Sequence, residues 1–89
     1  MLMPKKRKRL NRKIIESNIG EAAEELQRLR DLATKGKLNE AQLQVGLCHA
    51  YHHLNFAWNI RYVTTPQYRK LTQRQFERWG KYPSEIETL

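Results

Sequence analysis

All three histidines of the chain, His49, His52 and His53, fall in the stretch HAYHHLNFAWNIRY, directly after its single cysteine, Cys48. His49 and His53 stand one helical turn apart, a spacing from which two imidazoles can reach one zinc ion. A closed site needs four ligands, and neither Cys48 nor an acid completes a compact set on that side, so a metal would need ligands from another helix or subunit. No metal or other cofactor is expected. Cys48 and His52 have the separation of a thiolate–imidazole dyad, but no acid stands where it would orient the ring and no oxyanion donors are evident. Nor is there a glycine-rich phosphate loop, or a pair of carboxylates with a reason for a raised pKa. The chain is therefore expected not to be an enzyme, with no catalytic residue assigned. The histidines read as structural or interfacial groups, and a hydrolase built on them, with or without a metal, is the least supported reading.

These residues need a helix to present them, and the start of that helix is the best-specified boundary in the chain. Leu38, Asn39, Gln42 and Leu43 have the spacing of a hydrophobic staple wrapped around an N-cap and its capping-box partner. With no breaker before VTTP, the helix is predicted over about residues 40–62. Upstream, Ile15, Ile19, Ala22, Leu26, Leu29 and Ala33 recur at steps of four and three, the repeat of one helical face. They predict a first helix over about 12–35, capped by Asn11, ended by a left-handed Gly36 and carrying a Glu24–Arg28 pair across one turn. Leu71, Thr72, Gln75 and Phe76 repeat the staple and box, so a third helix is predicted over about 72–80. Thr65 and Pro66 read as N-cap and first-turn proline of a separate helical turn or a loop. The fold class is all-α: one helical domain over residues 11–82, preceded by a flexible basic arm at 1–10 and followed by a tail at 83–89.

On a helical wheel of the second helix, Leu43, Leu47, Ala50, Tyr51, Leu54, Ala57, Trp58 and Tyr62 gather on one broad side, the expected core stripe. Val45, Gly46, His49, His52, His53, Phe56 and Ile60 lie opposite and mix imidazoles with sizeable apolar groups. A chain of 89 residues has a thin core. Three helices lack the material to cover both flanks, so the sequence predicts a helical homodimer that docks through the histidine-bearing side. Another protein seated there would make the chain an adaptor or regulatory subunit.

The net charge of +8 is unevenly held. Lys5, Lys6, Arg7, Lys8, Arg9, Arg12 and Lys13 face no acid in residues 1–13, whereas residues 14–89 hold ten Lys or Arg against nine Asp or Glu. A run of like charge repels itself and stays solvated. PKKRKRL reads as an arm for polyanions or, in a nucleated cell, as an import signal. With no aromatics interleaved, the arm is suited to phosphates rather than to stacking on bases. A second cluster, Arg69, Lys70, Arg74, Arg78 and Lys81, does interleave with Tyr68, Phe76, Trp79 and Tyr82. Phe76 and Trp79 are expected to pack on the second helix, leaving Arg74 and Arg78, one turn apart, for phosphate.

Within that cluster, LTQRQFERWGKYPSEIETL loosely resembles the helix-turn-helix pattern, with Thr72, Gln73, Gly80, Ile86 and Leu89 in matching places. Phe76 departs from it where a small residue lets the helices cross, and Glu85 and Glu87 would meet phosphates with like charge. The expected partners are thus a second copy of the chain, DNA or RNA bound without sequence preference, or another protein. No apolar run reaches the length a bilayer requires, and the lone cysteine has no intrachain partner, so a reducing cytoplasmic compartment, or a nucleus, is expected.

Overall fold

The computed structural model describes residues 9–82, which form α1 (Arg12–Thr34), α2 (Glu40–Asn59), α3 (Thr65–Arg69) and α4 (Gln73–Trp79), with no strand among the described residues. The protein is all-α as expected, but with four helices where three were anticipated, because TPQYR closes a helix of its own. The expected tail, and the expected arm apart from Arg9 and Leu10, lie outside the described residues.

Each helix begins on a side-chain cap that the sequence spells out. Asn11 Oδ1 accepts from the Ile14 N–H at 3.3 Å. Reciprocal capping boxes join Asn39 to Gln42, Thr64 to Gln67 and Thr72 to Gln75. The cap of α3 is Thr64 rather than the expected Thr65, because Gln67 stands three positions beyond Thr64 and closes the box, with Pro66 inside the first turn. This also explains why α2 stops at Asn59, short of the expected residue 62. Thr64 must be extended to cap, at ψ 156°, so the chain unwinds before it. At the other end of α2, the turn from α1 is closed by Gly36 at φ 67°. Hydrogen bonds from Gly36 N–H to Ala33 O (3.0 Å) and from Lys37 N–H to Leu32 O (2.9 Å) satisfy the last carbonyls of α1.

α1 and α2 form an antiparallel hairpin in which α1 side chains press on Gly46, where a Cβ would lie 2.6 Å from Leu29 Cδ2 and 2.9 Å from Glu25 Oε1. Ile14, Asn18, Ala22 and Leu29 of α1 are buried, as are Gly46, Ala50, Asn55 and Phe56 of α2 and its C-cap Ile60. The chain beyond α2 then folds back along it. Asn55 Nδ2 donates to Gly80 O at 2.9 Å, and Asn59 Nδ2 donates to Trp79 O at 2.7 Å and Lys81 O at 2.9 Å. Val63, Tyr68, Leu71 and Trp79 close over Ile14, Phe56 and Ile60. Phe76 lies 5.5 Å from Phe56 between ring centroids, so Phe76 and Trp79 pack against α2 as their spacing implied.

The packing turns α2 the opposite way from expectation. Ile60 is 0% exposed and Phe56 is buried beside it, whereas of the expected core stripe only Ala50 is buried, Ala57 and Trp58 are half-buried, and Leu43, Leu47, Tyr51, Leu54 and Tyr62 are exposed. In α1 the buried row is Ile14, Asn18, Ala22 and Leu29, leaving Ile19 and Leu26 half in solvent. The physical reason is backbone distance. Gly46, Ala50 and Ala22 let the two helices come close, and a seam of leucines and tyrosines would hold them apart. The ion pair on α1 is also displaced by one residue: Arg28 Nη2 meets Glu25 Oε1 at 2.7 Å, in place of Glu24.

Candidate functional site

The histidines sit in the seam between α2, α1 and α4, where a depression of about 240 Å³ is lined by Asn18, all three imidazoles, Phe56, Tyr68, Leu71 and Phe76. Asn18 Nδ2 donates to Ile14 O at 3.0 Å, which turns its Oδ1 toward His53 Nδ1 at 2.8 Å. His53 Nδ1 therefore carries a proton. His53 Nε2 is 3.1 Å from His49 Nε2, and His49 Nδ1 faces Glu25 Oε2 at 3.7 Å. In the neutral pair His49 Nε2–H donates to His53 Nε2.

Burial first, and then the neighbouring His49, lowers the His53 pKa below the ordinary imidazole value, with Glu21 opposing. His52 is lowered in the same way, by burial first and then by His53 and His49. Its ring lies 4.6 Å from both Phe56 and Phe76, and its Nε2 is buried with no hydrogen-bond partner. The Glu25 carboxyl is held below its ordinary value chiefly by the hydrogen bond from Arg28. Among the described residues no group of three or more His, Cys, Asp or Glu side chains could hold a metal ion. Cys48 is exposed.

The flank expected to receive a second subunit is thus largely occupied by the protein's own chain. Gly46, Phe56 and Ile60 are buried within the protomer, His53 is bonded to α1, and His52 is covered by Phe76. His49 faces Glu25, and Val45, 66% exposed, is left as an isolated apolar residue on that side. Of the seven residues, Gly46, Phe56 and Ile60 are thus taken up by the protomer's own packing, while Val45 and His49 stay exposed and His52 and His53 partly so. The partners that fill the seam, Asn18 and Glu25, were missed because they are polar. Their signal was positional, since 14, 18, 22, 25 and 29 continue one helical row.

A second region gathers cations. The Asn11 backbone N–H donates to Arg61 O at 2.7 Å, and Asn11 Nδ2 donates to Val63 O at 2.8 Å and Thr65 Oγ1 at 3.3 Å. This clasp fixes the start of α1 to the α2–α3 connection. It creates a depression of about 390 Å³ lined by Arg9, Leu10, Asn11, Arg12 and Lys13 on one side and Tyr62, Val63, Thr64 and Thr65 on the other. Of the expected phosphate contacts, Arg9, Arg12 and Lys13 are brought together here. Arg74 and Arg78 are exposed on α4 but line no part of this depression, and Lys5, Lys6, Arg7 and Lys8 lie outside the described residues. Tyr62 and the hydroxyls of Thr64 and Thr65 were not anticipated, because only the Asn11 clasp brings them beside the basic residues.

Charge is also unevenly distributed along the chain. Residues 1–13 carry seven cations and no acid, and residues 59–82 carry six cations and one acid. Residues 14–58 hold four cations and six acids. The acids of that stretch gather in the N-terminal part of α1, where Glu16, Glu21, Glu24 and Glu25 precede the stretch's first cation, Arg28, while the α1–α2 turn carries Lys35 and Lys37. No helix among the described residues is long and apolar enough to cross a membrane. A helical hairpin closed on one flank by two short helices, with Arg9, Arg12 and Lys13 gathered where α1 is clasped to the α2–α3 connection, is the class of protein that fold and site define. Comparison with protein-family models, curated proteins and solved structures finds no match for this chain.

Proposed function

We propose that the protein is a non-enzymatic nucleic-acid-binding module that holds DNA or RNA by its phosphates, without sequence preference. The observation that carries this reading is the Asn11 clasp, which joins the basic N-terminal run to the depression containing Tyr62, Thr64 and Thr65. Arg9, Arg12 and Lys13 supply charge there, the hydroxyls supply hydrogen-bond donors, and the arm extends the contact along the backbone. Arg74 and Arg78 add a second phosphate-binding pair on α4.

The reading makes a quantitative demand. If about seven phosphates are neutralised, the logarithm of the association constant falls against the logarithm of salt with a slope of about −6 on duplex DNA. Fluorescence anisotropy with random-sequence duplex and single-stranded RNA, across about 50 to 200 mM salt, measures it. Replacing Lys5, Lys6, Arg7, Lys8 and Arg9 by Ala is expected to reduce the slope by about 4 to 5. Absence of binding at the lowest salt, or binding unchanged by those substitutions, overturns the proposal.

A further inference from the structure

Among the described residues, the flank of the hairpin opposite the histidines is left largely open, with Tyr82 stacked on Tyr51 at 6.5 Å between ring centroids. Ile19 and Leu26 of α1 and Leu43, Leu47, Tyr51 and Leu54 of α2 each remain 38 to 51% exposed. Leu26, Leu47, Cys48, Ala50, Tyr51 and Leu54 line one groove of about 400 Å³ between the helices, and no charged side chain is among them. Both helices carry their apolar surplus on the same side of the hairpin, which is the pattern of half a four-helix bundle. The buried apolar side chains of the described residues number six, two of them alanines. More large apolar side chains lie open than closed.

We infer that this groove is where a second copy of the chain docks, so that two hairpins pair about a two-fold axis into a bundle. Three observations select that occupant. A groove without charge gives no foothold to a nucleic acid or a charged ligand. The six half-exposed side chains present on the order of 500 to 600 Å² of mostly apolar surface, at the upper end for a lone protomer and most of the roughly 800 Å² per partner that a stable pair buries. The flank also offers both halves of a ridge-and-groove contact. Leu47 and Leu54, two turns apart, form a ridge along the same flank that holds the groove, so a two-fold rotation lays each ridge in the other's groove. The inference is independent of the proposed nucleic-acid contact, which uses other residues, and its test contains no nucleic acid.

Light scattering on the untagged chain from about 5 to 100 µM is expected to show a mass rising from 10.7 kDa to twice that value. Leu47→Glu and Leu54→Glu should hold the mass at one chain while leaving the helical circular dichroism intact, because both side chains are half in solvent before the change. Val45→Glu, on the opposite flank, should leave the dimer unchanged. Alkylation of Cys48, which lines the groove, should slow as concentration rises. A native chain that stays monomeric at 100 µM overturns the inference, as does a dimer that survives both leucine substitutions. A monomer whose Cys48 becomes more reactive when residues 83–89 are removed would assign the groove to the chain's own C-terminal segment, which carries Ile86 and Leu89, and would overturn it as well.

Discussion

His53 illustrates how a residue that looks chemical becomes structural once its neighbours are known. Asn18 fixes its Nδ1 proton, His49 occupies its Nε2, and burial disfavours its charge. His52 is the less settled group, with a buried Nε2 and no partner. Both imidazoles titrate lower in the folded chain than in the unfolded one, so the unfolded chain takes up protons first. The stability associated with their neutral forms is intact above about pH 6.5 and is lost as pH falls toward the lowered folded-state values. Thermal melts should therefore show a falling midpoint from pH 7.5 to 5. His52→Leu separates the two groups. It removes an unsatisfied polar atom that costs about 1–3 kcal/mol, and it forfeits two ring contacts worth about 0.5–1.5 kcal/mol each. Those terms nearly cancel, so the variant should match the native chain at pH 7.5 within about 1 kcal/mol and lose less on acidification. An unchanged acid-side slope would show that His52 does not carry the effect.

At the scale of the elements, α4 is seven residues long and cannot persist alone, so its attachment to α2 decides whether it forms. That attachment runs through Asn55, Asn59 and the close contact of Gly80 with His52, whose ring a Cβ at Gly80 would strike. Gly80→Ala is expected to destabilise the fold by about 1–3 kcal/mol and to raise amide exchange in α4 first. Gly20→Ala is the opposite case. Nothing lies within 4 Å of a Cβ there, so the gain in helix propensity, about 1 kcal/mol, should appear in full as increased stability. The sequence discloses the ends of the helices well, because caps act over three or four residues: Asn11, Asn39, Thr72 and Gly36 all perform the roles their spacing implied. It discloses the orientation of α2 poorly. That helix is apolar on two flanks, and the larger side chains drew the expected core to the side that lies open. Packing was decided instead by the small residues Gly46, Ala50 and Ala22, and by the fold-back of residues 63–80, whose contacts are distant in sequence. The basic site was half legible for the same reason. Its charges are consecutive and visible, while Tyr62, Thr64 and Thr65 join them only across the Asn11 clasp.

At the scale of the whole molecule, the inferred pairing and the proposed polyanion contact use opposite kinds of surface, and their combination has a consequence neither has alone. A dimer presents two basic ends. If one nucleic acid can engage both, the second contact becomes intramolecular, and its effective concentration strengthens binding by a factor of roughly 10² to 10⁴. A duplex too short to span both ends gives no such gain. The comparison calls for a dimer-breaking change that leaves the charge alone, for which Leu47→Gln with Leu54→Gln is suitable, because an added Glu would weaken binding electrostatically by itself. On a duplex of about eight base pairs, native and variant chains should bind alike, since each protomer's cations are intact. On one of about forty base pairs, the native chain should bind at least tenfold more tightly than the variant at equal protomer concentration. The difference should widen as salt is lowered, since both contacts then strengthen together. Equal affinities on the long duplex, with the native chain shown to be dimeric under the same conditions, would mean that the two basic ends point where one nucleic acid cannot reach both.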